Sequence, residues 1–584
     1  MKHYSLVCFF AILSLFFWSC KRGQTVISES SKKEVVKSIF AQHYPEFNPG
    51  DLKERLKEVV STDSIIAPFY AHTSYTPIWV HDTLDTKNLA ELIELLNDVD
   101  KHGLSNDCFT STEIAAITDS ISSKLYGEDL NTIYSKIIHL EQSATKAVAK
   151  YVTGMRFGFL NPKDIYGKKL YDIDLLKPDS TYTVSLYEEM KENPIKAMLE
   201  SHPTDSIYRK LQEEYSRLAN LSDTMFQRIV MGSSNYRLGS KGKNISAIAN
   251  RLILTGEYTP DPNSRDSLHS ELNEELLAAI NLFRIRNSYL EEKEVGLLTI
   301  NALNRPIEYY LNTIKANMER YRWKRSKQEH DKHIEVNVPA FMLVASDKRN
   351  DSLLLISRVC VGSIRNKTPL MTSDLAYMNL NPTWNIPSSI AKTEVAVLQK
   401  KDPTYIKRKN MKLYKGGKEV DPESIDWSKI NTSKFSYIVR QQPGPSNSLG
   451  LIKFMFNNSF SVYLHDTPSK ATFNRKNRAV SHGCIRVQKP FDLAVFAMYP
   501  VAEIYKDRLL YSVGMSVETK EAKKLLKEEK LKKLPDIINI PADNKISLAI
   551  DYRTAFCYPK DKALYYADDI YEYDELILEE LDKI

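Results

Sequence analysis

The chain has 584 residues, too many for one hydrophobic core, so roughly three or four domains are expected. With 42% hydrophobic and 26% charged residues and no low-complexity tract, the composition argues against long disorder. A net charge of +6 without a Lys/Arg run argues against a nucleic-acid-binding arm.

Lys2 is followed by an apolar run from Tyr4 to Trp18. That run is short for a bilayer, which takes about 20 residues, and fits the core of a secretory signal. It ends in Phe17-Trp18-Ser19-Cys20, then Lys21-Arg22. A small residue directly before a cysteine at that point resembles a lipoprotein cleavage site, with Cys20 as the lipidated first residue of the mature chain. An uncleaved signal anchor is the other reading. Both export the rest of the chain, so a periplasmic, membrane-anchored protein is expected, with residues 1–20 as its signal. Setting Cys8 and Cys20 aside leaves Cys108, Cys360, Cys484 and Cys557, far apart and without CxxC spacing. They make neither a zinc site nor a disulfide framework, which leaves thiols free for chemistry.

Residues 21–235 read as a helical scaffold. Leu89, Leu92, Ile93, Leu95 and Leu96 form one stripe, with Gly103 in a stop position after it. Further helices are expected near Ile133–Val152 and from Asn193 to Leu221. Residues 236–305 read as a three-helix bundle: Ile245 to Ile253 stops at Gly256, Leu272 to Phe283 repeats the spacing, and Gly296 precedes Leu297 to Leu303. A helix from Arg305 to Trp323 lies in a linker spanning 306–332. From residue 333 the period changes to two, as in His333-Ile-Glu-Val-Asn-Val338, so 333–510 reads as a β-rich domain. Within it, Ile452–Phe456 and Phe460–Leu464 flank Asn457-Asn458 as a hairpin. The charged stretch 392–437 interrupts the pattern and reads as a lid or capping loop. Residues 511–584 read as a C-terminal extension with a Lys/Glu-rich helix from Lys520 to Leu534 and an acidic tail from Asp568. The fold class is α+β, multidomain.

The chemistry concentrates in Ser481-His482-Gly483-Cys484-Ile485-Arg486-Val487. Alternation after Cys484 places it at the mouth of a strand. Gly483 lets backbone approach closely and is expected to leave N–H groups free for an oxyanion. A thiol attacks as thiolate and needs a base or a cation nearby. His465 ends the preceding strand, and two neighbouring strands ending at one rim would bring it to Cys484. On spacing alone, Cys484 as a buried small hydrophobe remains open. His482, His465 and Cys484 as a metal set lacks a fourth ligand.

This segment, with a His nineteen residues before the Cys, resembles the signature of the L,D-transpeptidase family with the YkuD-type catalytic domain. Asn381-Pro-Thr-Trp-Asn-Ile-Pro387, Lys367-Thr-Pro369, Pro443-Gly-Pro445, Leu449-Gly-Leu-Ile-Lys-Phe454 and Tyr463-Leu-His-Asp-Thr-Pro468 resemble its large YcbB-like branch. The order of parts does too, with the bundle in the place of a peptidoglycan-binding domain. The bundle lacks that domain's usual Asp-Gly turn in Leu290–Gly296.

The resemblance implies Cys484 as nucleophile and His465 as general base. Gly483, His482, Arg486 and Tyr463 would shape the oxyanion and substrate pocket, with His482 dispensable as a proton acceptor. It implies two peptidoglycan stem peptides as partners, a thioester intermediate, a 3→3 cross-link as product, and no metal or organic cofactor. L,D-carboxypeptidase activity, with water as acceptor, shares the acylation step. A non-catalytic wall-binding lipoprotein is a reading of another class.

Overall fold

A computed structural model describes residues 44–584 apart from 82, 124–126, 223–224, 261–268, 560 and 562. The signal at 1–20 and the lipidation site at Cys20 lie outside the described residues.

The N-terminal region is helical, organised on the 28-residue Leu130–Phe157 helix. Its apolar stripe (Ile133, Ile137, Leu140, Ala144, Val148, Val152) is buried against Leu52, Leu56, Leu89, Leu92 and Leu96. Each such Ile, Leu or Val side chain contributes about 1.5–3 kcal/mol on leaving water. The single helix expected from Asn193 to Leu221 is two, Pro194–Glu200 and Ser206–Ala219. Pro203 lacks the N–H needed to continue a helix, and the Asp205 carboxylate caps the second by accepting the Ile207 N–H at 2.7 Å.

The bundle has three helices, Lys243–Thr255, Glu274–Arg286 and Leu297–Leu303, around a core of its own. The Ile307–Arg322 helix that follows is a buried strut rather than a linker. Its Glu319 accepts the Phe159 and Leu160 N–H groups at 2.7 and 2.8 Å and pairs with Arg322 at 2.9 Å, fixing it to the scaffold.

The strands are β1 (Tyr171–Asp172), β2 (Lys332–Asn337), β3 (Met342–Asp347), β4 (Asn350–Gly362), β5 (Leu370–Leu380), β6 (Trp384–Ile386), β7 (Met411–Lys415), β8 (Lys418–Val420), β9 (Ile438–Gln441), β10 (Ile452–Phe456), β11 (Leu464–His465), β12 (Ala479–Ser481), β13 (Ile485–Val487), β14 (Ile537–Asn539), β15 (Ile546–Asp551), β16 (Ala555–Phe556) and β17 (Tyr565–Tyr566). The main sheet runs β5-β10-β11-β13-β4-β3-β2-β15, and β15 also pairs with β5, closing the sheet into a ring. Closure leaves neither β2 nor β5 with an open edge there. The boundary expected at residue 510 therefore does not separate two structural units. β15 comes from the C-terminal extension, buries Ile546, Leu548 and Ile550, and completes the catalytic barrel. The Lys/Glu-rich helix is shorter than expected, Lys520–Lys527. The acidic tail is not loose: Asp568 meets Arg305 at 2.5 Å and Lys476 at 3.0 Å, and Tyr573–Leu581 is a helix.

The segment expected as a loop at 392–437 is a folded insertion. β6, β9, β7 and β8 form a separate four-stranded sheet, and helices at 388–408 pack on it. Ile390, Val395, Ile406, Leu413, Phe435 and Val439 are its core. Its charged residues are the outward halves of short strands and helices, which is why the stretch reads as polar. The hairpin expected over 452–464 has a longer connection: β11 holds only Leu464 and His465, because Asn458 accepts the Phe460 and Val462 N–H groups and holds the chain in a loop.

Candidate active site

β10, β11 and β13 lie side by side and carry the site. β11 and β13 are parallel, with Leu464 opposite Ile485 and His465 opposite Arg486. Ile485 donates its N–H to the Tyr463 carbonyl at 3.1 Å, which sets Cys484 beside Tyr463. The two strands thus do not end at one rim, as expected from the sequence. They run in register, with His465 one pleat beyond Tyr463. Lys453 of β10 pairs with His465 from the other side.

The Tyr463 and His465 rings meet edge to face at 5.7 Å, and the Lys453 ammonium stands 3.9 Å over the Tyr463 ring. Both the main-chain N–H and the phenol of Tyr463 face the Cys484 sulfur. The sulfur lies 4.0 Å from the Ser461 carbonyl. His465 is buried, and its Nδ1 sits 2.5 Å from the Asp466 carbonyl. Donation there leaves Nε2 with a free lone pair, the tautomer a proton acceptor needs.

Burial, with Arg486 and Lys453 as neighbouring cations, pushes the His465 pKa down to about 3, partly offset by the Asp466 and Leu449 carbonyls. Burial pushes the Cys484 thiol up, while Tyr463, Lys453 and Arg486 favour the thiolate. The resting pair is therefore a neutral thiol and a neutral imidazole. The two cations face no acidic partner among the described residues and lower the cost of the thiolate when it forms.

Tyr463 neighbours both Cys484 and His465, and Arg486 flanks the two. His482 turns outward to Glu394 of the insertion at 2.5 Å. The expectation of a free N–H at Gly483 is corrected: that group donates to Ser481 Oγ at 3.1 Å. The Cys484 N–H has no acceptor among the described residues.

Lys453, Ser481 and Trp384 were not singled out from the sequence. Lys453 had a signal: a lysine between Ile452 and Phe454 in an apolar strand must face elsewhere than the core. The Trp384 indole N–H, from the insertion, is buried beside Tyr463 without closing a hydrogen bond.

Residues 331–507 match the YkuD model, described as the L,D-transpeptidase catalytic domain, and residues 64–214 match a scaffold-domain model. The "Putative L,D-transpeptidase" of Haemophilus influenzae is 44% identical over 162 residues, 28% of this chain and 32% of that protein. The match therefore spans about a third of that relative's length. An L,D-transpeptidase crystal structure from Xylanimonas cellulosilytica aligns at 11% identity over 55% of this chain and all of that one. Its TM-score of 0.16 is too low to carry an argument. Residues 331–507 are thus similar to the L,D-transpeptidase catalytic domain of the YkuD family.

Proposed function

We propose that this protein is a peptidoglycan L,D-transpeptidase that forms 3→3 cross-links through a thioester on Cys484. The observation that carries the reading is the in-register pairing of β11 and β13 inside the matched domain. It sets a half-buried thiol, a neutral imidazole with one free nitrogen, and a phenol on one face.

His465 Nε2 takes the Cys484 proton, and the thiolate attacks the carbonyl of the third stem residue. The tetrahedral oxyanion is met by the Cys484 N–H and the Tyr463 hydroxyl. As the C–N bond breaks, His465 returns its proton to the departing D-amino acid. An amine from a second stem then attacks the thioester and gives its proton to His465, which restores the thiol as the C–S bond breaks. Removing one oxyanion donor costs roughly 3–4 kcal/mol of barrier. The Asp466 and Leu449 carbonyls favour the imidazolium during each transfer.

The insertion closes over this face. Glu394 reaches His482, and Trp384 reaches Tyr463, so a bound donor would lie between the barrel and a second folded unit. Such cover excludes water from the thioester and favours transfer over hydrolysis. Anchorage through Cys20 or an uncleaved signal would hold the enzyme at a membrane facing the wall.

Incubation of pure protein with disaccharide-tetrapeptide, read by mass spectrometry, tests the assignment. Cross-linked dimers support it. Tripeptide alone makes the protein an L,D-carboxypeptidase, and unchanged substrate makes it a wall-binding protein.

A further inference from the structure

The catalytic-domain match ends at residue 507, yet a buried chain of hydrogen bonds joins the C-terminal extension to the peptide bond at the nucleophile. The Tyr571 hydroxyl donates to the Gly362 carbonyl at 2.6 Å and accepts the Thr368 N–H at 3.1 Å. Thr368 Oγ1 accepts the Gly362 N–H at 2.8 Å and donates to the Gly483 carbonyl at 2.9 Å. Each hydroxyl has a single proton, and both are committed, so the chain has one direction.

Thr368 and Tyr571 are both buried. The turn that brings Thr368 to Gly362 leaves no room for a side chain, since a Cβ on Gly362 would lie 2.0 Å from the Asn366 carbonyl oxygen. Lys367 fastens the tail at the same point, donating to the Tyr571 carbonyl at 3.0 Å with its ammonium 4.3 Å over the Tyr573 ring.

The Gly483 carbonyl and the Cys484 N–H are opposite ends of one planar trans peptide. Holding the carbonyl fixes the direction of the N–H. The neighbouring peptide groups are held as well, because Ser481 Oγ accepts the Gly483 N–H and donates to the Cys484 carbonyl at 2.6 Å. The Cys484 N–H is the member of this set left without an acceptor, and it points away from Thr368.

We propose that Thr368 and Tyr571 are positioning residues that aim the Cys484 N–H as an oxyanion donor, which makes the C-terminal extension a working part of the catalytic unit. The proposal rests on the reading of Cys484 as the acylated nucleophile.

Two reactions of the same thiol test it. Acylation by a carbapenem builds an oxyanion. Alkylation by iodoacetamide displaces iodide and builds none. Loss of an oxyanion donor costs about 10²–10³ in rate, and misaiming it costs part of that. Thr368→Val is expected to slow acylation at least about tenfold while alkylation stays within about twofold of wild type. Thr368→Ser keeps the hydroxyl and is expected to restore acylation. Tyr571→Phe is expected to show the same split to a smaller extent, and it decides the question if Thr368→Val fails to fold. Unchanged acylation in both Thr368→Val and Tyr571→Phe overturns the proposal. So does a parallel fall in both reactions that Thr368→Ser does not repair. Failure of the nucleophile reading is seen separately, as a carbapenem adduct on Cys484→Ala or none on wild type.

Discussion

If β15 belongs to the barrel, a core substitution sixty-four residues beyond Cys484 must weaken the site. Leu548 is 1% exposed, opposite Ile334 on β2 and Ser373 on β5. Leu548→Ala removes most of a fully buried side chain and leaves a cavity, at a cost of about 2–5 kcal/mol. The stability of a domain is about 5–15 kcal/mol, so the variant folds but is markedly weaker. With a urea slope of about 2–3 kcal/mol per molar, the midpoint falls by roughly 1–2 M. The assay is carbapenem labelling of Cys484 after equilibration in urea, read by mass. Labelling reports the barrel alone, which matters in a multidomain chain where a global unfolding signal mixes several transitions. Leu526→Ala, on an exposed helix face of the same extension, is the control and should shift by less than about 0.5 kcal/mol. If Leu548→Ala loses labelling at the wild-type urea concentration, β15 is not part of the cooperative unit and the reasoning fails.

Cys484→Ala should fold as wild type and carry no carbapenem mass adduct; an adduct on it places the nucleophile elsewhere. His465→Ala should lose far more activity than His482→Ala, since His465 lies buried against Tyr463 whereas His482 points to Glu394; equal losses in a product assay would refute the assignment. Because burial holds the His465 pKa at about 3, acylation should show no acid limb near pH 6.5, and a rate that halves there contradicts the buried imidazole. The same depression makes a stability prediction: His465 contributes fully above the unfolded-state value of 6.5, and stability falls as pH drops from there towards 3, because the unfolded chain takes up a proton that the fold excludes. Gly450→Ala should cut acylation at least about tenfold, since a Cβ at its φ of +65° would lie 2.3 Å from the Asp466 carboxylate and displace the residue whose carbonyl holds His465; near-wild-type rates would show that Asp466 is not needed there.

The segment around Cys484 stood out in the sequence because its residues are contiguous. Cys484, Gly483 and Arg486 sit within three positions, and His465 marks the end of a short apolar strand. The change of period at residue 333 likewise announced the β-domain. Closure of the barrel left no such trace. β15 is a short segment, Ile546–Asp551, and its partners β2 and β5 lie far back in the chain. The insertion hid because strands of three to five residues with charged outward faces look like loop. The supports of Gly483 hid for another reason: the groups that Thr368 and Tyr571 hold are main-chain carbonyls and N–H groups, which every position has.

Barrel closure by the last strand also orders events in time. β2 ends at Asn337 and β15 begins at Ile546, more than 200 residues later. At a synthesis rate of about 5–20 residues per second, roughly 10–40 seconds separate their appearance. Until β15 emerges, β2, and β5 once it is made, present unpaired edges, the template on which strands of other chains add. Contacts this distant in sequence also form slowly, since loop closure precedes any reward from pairing. Cys484 precedes β15 by 62 residues, so the nascent chain carries that thiol for about 3–12 seconds before the barrel around it closes. A factor that shields open strand edges would raise the yield of active protein more than one that speeds any local step.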